Sequence, residues 1–104
     1  VKPLPPWNTV IAVHVKRQGG IAAIPAQARP RTIALRDCPD DQLGRLCAAV
    51  TQAAALASEG CGMGDQRYFT VEIRREGDGE PLRFNVPEDA APEPLVSLWR
   101  DGRA

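Results

Sequence analysis

The chain has 104 residues, 43% of them apolar, and equal numbers of acidic and basic side chains, so its formal net charge is zero. That length holds one small domain with one modest core, and the apolar share is too high for a disordered chain. Zero net charge argues against a general nucleic-acid binder, because phosphate affinity needs a basic excess.

The opening VKPLPPW (residues 1–7) is proline-rich and is expected to form an extended arm, with residues 8–104 forming a single domain. Strand signals begin at Asn8. Alternation predicts Ile11, Val13 and Val15 on one face and Ala12, His14 and Lys16 on the other. The Gly19-Gly20 pair in VHVKRQGGIAA is expected to turn a hairpin, with Lys16 and Arg17 as solvated charges near its tip. The run IAAIP is then a second strand, ended or placed at a sheet edge by Pro25. RTIALR alternates as a third, with Ile33 and Leu35 facing inward.

A helix is predicted from Pro39 to Ser58. Proline suits the first turn, Asp40 and Asp41 complement the positive end of the helix dipole, and Gly60 is a natural stop. Its apolar stripe comprises Leu43, Leu46, Cys47, Val50, Ala54 and Ala57. After the loop CGMGDQ, the strand RYFTVEIRR turns Phe69, Val71 and Ile73 inward. Glu76-Gly77-Asp78-Gly79 makes a hairpin turn, and PLRFNV returns with Leu82, Phe84 and Val86 inward. A last helix from Pro92 to Arg100 is expected to bury Leu95, Leu98 and Trp99, with Gly102 after it. The order β-β-β-α-β-β-α lacks strand–helix alternation. It predicts an α+β fold: a small antiparallel sheet of about four to five strands packed on one main helix, with a short C-terminal helix.

Little in this chain is equipped for catalysis. The one histidine, His14, alternates away from the apolar face, and Ser58 and Ser97 have no nucleophile-elbow context. Cys38, Cys47 and Cys61 are an odd number without a CxxC pair, so neither a disulfide framework nor a spaced zinc site is indicated. Of the three, Cys47 is expected in the core. Cys38 sits at a helix start whose dipole lowers a thiol pKa, and Cys61 is exposed in a glycine-rich loop. No signal peptide and no span of transmembrane length is present, which predicts a cytoplasmic protein with reduced thiols and no membrane partner. A phosphate cradle needs a helix directly after its glycines; Gly19-Gly20 is followed by IAAIPAQARP instead. The open sheet face offers Tyr68 and few other aromatics, so RNA is not supported. No enzyme and no cofactor are expected. The remaining profile is a rigid binding module with presentable loops, a form suited to an inhibitor because a preorganised loop loses little entropy on docking.

Taken in order, the segments VHVKRQGGIAA, RTIALRDCPDDQLGRLCAAVTQA, GDQRYFTVEIRREGDGEPLRFNV and PEDAAPEPLVSLWR resemble the emfourin family, small bacterial inhibitors of thermolysin-like (M4) metalloproteases. The resemblance runs from Ala12 to Arg100. It implies that the protein plugs the substrate cleft of a zinc protease through its N-terminal segment and the loop after the main helix. In this chain that loop contains Gly60, Cys61, Gly62, Met63, Gly64 and Asp65, with Gly19 and Gly20 as further candidate contacts. Met63 between glycines is an adaptable apolar side chain suited to a specificity pocket. Two departures stand out: Gly19-Gly20 is followed by Ile-Ala-Ala where the family has Phe-Ala-Gly, and the N-terminal arm is longer. The alternative reading is a non-enzymatic interaction module for another partner.

Overall fold

Four strands and two helices follow one another in the computed structural model, which describes residues 7–19, 30–57, 67–77 and 80–103. They are β1 (Val10–Gly19), β2 (Arg31–Ala34), α1 (Asp40–Ala55), β3 (Arg67–Arg75), β4 (Leu82–Pro87) and α2 (Glu93–Asp101). Short 3-10 turns cover Trp7–Thr9, Leu35–Asp37 and Glu88–Ala90. The expected α+β class is what the chain forms. The expected strand at Ile21–Pro25 and the turn glycine Gly20 lie outside the described residues, as do the first six residues of the arm. Trp7, assigned to that arm by composition, packs against the core.

The sheet has the order β2-β1-β3-β4, and each neighbouring pair is antiparallel. Its inner face carries Val13, Val15, Ile33, Phe69, Val71, Ile73, Phe84 and Val86. Leu46, Val50, Ala53, Leu95 and Leu98 from the two helices close over them in one apolar cluster. Both helices therefore lie on the same face, and the architecture is two-layered.

β1 departs from simple alternation at its start. Val10 pairs with Arg75 and Ala12 with the adjacent Arg74, so two steps on β1 answer one on β3. This β-bulge turns Ile11 outward, where it is 46% exposed, and puts Val10 inside in its place. The expectation that Ile11 shares the face of Val13 and Val15 is thus corrected. β2 likewise ends two residues short of the alternating run RTIALR: Leu35 begins a 3-10 turn, yet still packs against the core.

In α1 the buried positions are Leu46, Ala49, Val50, Ala53 and Ala54, a stripe rotated from the predicted one. Cys47 is half-buried at its margin rather than in the core. Ala49 and Ala53 are 1% and 0% exposed, whereas Leu43 and Ala57 of the predicted stripe are only partly buried against the cluster. The helix begins one residue after Pro39, which acts as its N-cap, and ends at Ala55. Gly102 terminates α2 with φ of 81° and donates its N–H to the Leu98 carbonyl at 2.9 Å.

Candidate functional site

The register of the two central strands gathers the candidate contacts at one end of the sheet. Gly19 pairs with Arg67, Gln18 with Tyr68 and Arg17 with Phe69. The chain leaves β1 after Gly19 and enters β3 at Arg67, so the segment that starts at Gly20 and the one that ends at residue 66 attach side by side. Of the predicted contacts, Gly19 is placed as the last residue of β1; Gly20 and Gly60 to Asp65 lie outside the described residues. The N-terminal arm attaches elsewhere. Val10 faces Arg75 at the opposite end of the pair, about 30 Å away along a ten-residue strand.

The rim of that shared end is braced from the helical side. Arg17 has the same alternation as Val13 and Val15, so its side chain turns toward the helical layer and not into solvent. Its Nη2 lies 2.7 Å from Glu88 Oε1, with the Arg17 side chain only 18% exposed, and its guanidinium carbon lies 5.8 Å from the centroid of the Trp99 ring. This corrects the expectation of a solvated charge; Lys16 is exposed as expected. Trp99 is half-buried and meets Phe69 edge-to-face, with centroids 5.7 Å apart and an interplanar angle of 64°. From β2, Arg31 donates from Nε to the Trp99 carbonyl at 3.2 Å and from Nη2 to the Arg100 carbonyl at 2.9 Å. Sequence reasoning missed this brace, although a charged residue continuing the apolar parity of Val13 and Val15 was the available signal.

The open face of the sheet is polar and internally bonded. The Gln18 amide donates to the Thr70 hydroxyl, which donates in turn to Asn85 Oδ1 at 2.8 Å. His14 Nδ1 lies 2.6 Å from the Thr32 hydroxyl. Glu72 accepts from Arg83 Nη2 at 2.6 Å and Nε at 3.2 Å and from Arg74 Nε at 2.8 Å, and the hydrogen bonds from Arg83 and then Arg74 hold its carboxyl below the usual glutamate range.

Neither of the two described thiols, Cys38 and Cys47, is activated. Burial, reinforced by the charge of Asp37, pushes the Cys38 thiol above its ordinary pKa, where the helix start led us to expect a lowering. Burial also raises Cys47, with Cys38 adding to the effect. Among the described residues no three His, Cys, Asp or Glu side chains converge as metal ligands, and no helix is long and apolar enough to cross a membrane.

The model of the Emfourin family matches residues 15–103. The chain belongs to the Emfourin family. A solved structure, Emfourin (M4in) from Serratia proteamaculans, described as an M4 family peptidase inhibitor, is 38% identical. The match covers 98% of this chain and 96% of that one, with a TM-score of 0.50. No curated protein sequence matches significantly. Membership places the chain in a family of inhibitors and not of enzymes.

Proposed function

We propose that this protein inhibits a thermolysin-like M4 metallopeptidase by docking the loop of Gly60 to Asp65 into the substrate cleft, with Gly19 and Gly20 beside it. The observation that carries this reading is 38% identity over nearly the whole chain to a solved inhibitor of M4 family peptidases. The Gly19–Arg67 pairing supports the choice of surface, because it attaches both glycine-bearing segments at one end of a rigid sheet. A contact surface built on a fixed scaffold loses little conformational freedom on binding. The arm attaches at the other end, so the loop and not residues 1–6 is the principal contact.

The test is titration of a thermolysin-like peptidase with the purified protein. Near-stoichiometric loss of peptide cleavage is expected, and a Cys61→Ala, Met63→Ala double variant should inhibit more weakly while melting at the same temperature. No slowing of any M4 peptidase would overturn the activity, and unchanged potency of the double variant would remove the loop from the contact. Capture of a different protein without inhibition would favour the interaction-module reading.

A further inference from the structure

The open face of the sheet separates its charges by depth. Alternation puts Lys16 of β1, Glu72 and Arg74 of β3 and Arg83 of β4 on that face. Glu72 is the one acidic side chain there among the described residues, and it lies beneath its partners. It is 12% exposed, against 50% for Arg74 and 64% for Arg83. Three cations over one carboxylate leave the face at a charge of +2, on a chain whose formal net charge is zero. Lys16 is exposed one cross-strand row further on, opposite Thr70.

Arg74 is the best placed of the three. Its Nε donates to Glu72 Oε1 at 2.8 Å, which orients the guanidinium, while its two Nη groups donate to no group among the described residues. That pair of nitrogens is the fork a carboxylate accepts with both oxygens. On β1 and β2 the same row holds Ala12 and Ala34, whose short side chains leave the space beside the fork open.

We propose that this face docks an acidic polypeptide segment, with a glutamate or aspartate carboxylate on the Arg74 fork and Lys16 and Arg83 attracting its neighbours. Charge complementarity selects that occupant. Nucleic acid fits less well, because Glu72 repels closely spaced phosphates and the chain lacks the basic excess that phosphate affinity needs. The face stands apart from the inhibitor reading: Arg74 lies about 23 Å along β3 from Arg67, where the proposed peptidase contacts attach.

The experiment titrates the isotope-labelled full chain with hexaglutamate, and with hexaglutamine as control, and follows the backbone amides by NMR. Shifts are expected at residues 12–16, 72–74 and 83–85 and not in α1, from the acidic peptide alone, and added salt should weaken them. Arg74→Gln should weaken binding about tenfold. Arg74→Lys should weaken it severalfold, because lysine keeps the charge and loses the fork. Arg36→Gln, which removes an exposed arginine before α1, should leave it unchanged. All three variants should inhibit a thermolysin-like peptidase as the wild type does. Localised shifts in a chain that inhibits no M4 peptidase would uphold the docking face and overturn the inhibitor reading. Absent shifts, or an equal loss from Arg36→Gln, would overturn the proposal, the latter by showing diffuse attraction. Tighter binding of a single-stranded oligonucleotide at these residues, or shifts that grow with protein concentration alone, would reassign the face to nucleic acid or to a second copy. Weaker inhibition by folded Arg74→Gln would place the face in the peptidase contact and end its separate role.

Discussion

Gly19 and Arg67 face each other as the terminal cross-strand pair of β1 and β3. Every segment proposed to touch the peptidase attaches at that end, whereas Gly77, in the turn that follows β3, lies at the other. Gly77 has φ of 81°, a left-handed backbone that costs an L side chain about 1–2 kcal/mol. Gly77→Ala should therefore lower the melting temperature and leave the inhibition constant unchanged. Parallel thermal melts and inhibition titrations check this, and a potency loss in a still-folded variant would mean that the contact reaches the far end of the sheet.

The bulge at Ile11 makes an equally sharp forecast. With 46% of its surface exposed, Ile11→Thr should change stability by no more than about 0.5 kcal/mol. Val13 is fully buried against the helices, and Val13→Ala should cost about 2 kcal/mol or more through lost contacts and the cavity left behind. Urea unfolding of the two variants separates the bulged strand from a regular one, in which both substitutions would be costly.

These two positions also show what was legible beforehand. Phe69, Val71 and Ile73 alternate without interruption against Leu82, Phe84 and Val86, and period two sufficed to place all six on the inner side. Ile11 was misplaced because a bulge is a property of the pairing, and no local residue type announces it. The α1 stripe was rotated because alanine carries little pattern information, so Ala49 and Ala53 were passed over while Cys47 was drawn in. Arg17 was misassigned for a related reason. Its burial is decided by Glu88 and Trp99, both about seventy or more residues away in the chain, and long-range partners leave no trace in local periodicity. The candidate loop itself, Gly60 to Asp65, came from family resemblance and not from any periodic signal.

Glu72 gives the fold a mild sensitivity to acid. The Arg83 and Arg74 hydrogen bonds lower its carboxyl pKa in the folded state, so the folded state favours the ionised form. Its contribution is fully present above the unfolded glutamate pKa and is lost as pH falls through the lower folded value. Arg74 and Arg83 are themselves 50% and 64% exposed, which limits the contribution to about 1 kcal/mol or less. The stability gap between the wild type and Glu72→Gln should accordingly close as the pH is lowered from neutral through the glutamate range, and shrink with added salt. A gap that widens on acidification would show that the carboxylate is destabilised in the fold.

Cys38 precedes the N-cap of α1, where dipole arguments favour a thiolate, yet its environment opposes one. Its Sγ lies 3.6 Å from the Ala34 carbonyl in a donor geometry that only the protonated thiol can supply, and Asp37 adds a like charge beside any thiolate. Burial is the larger cause, ahead of the Asp37 charge, and acts in the same direction. In a Cys61→Ala background, alkylation of Cys38 by iodoacetamide near neutral pH should be slower than that of free cysteine, and it should accelerate when the domain is unfolded in urea. Asp37→Asn should raise the folded-state rate modestly, since it removes the charge and leaves the burial. Mass spectrometry of the alkylated peptide reads each rate; a folded-state rate equal to that of free cysteine would overturn the raised pKa, and a faster one would make the helix dipole the dominant influence on this thiol.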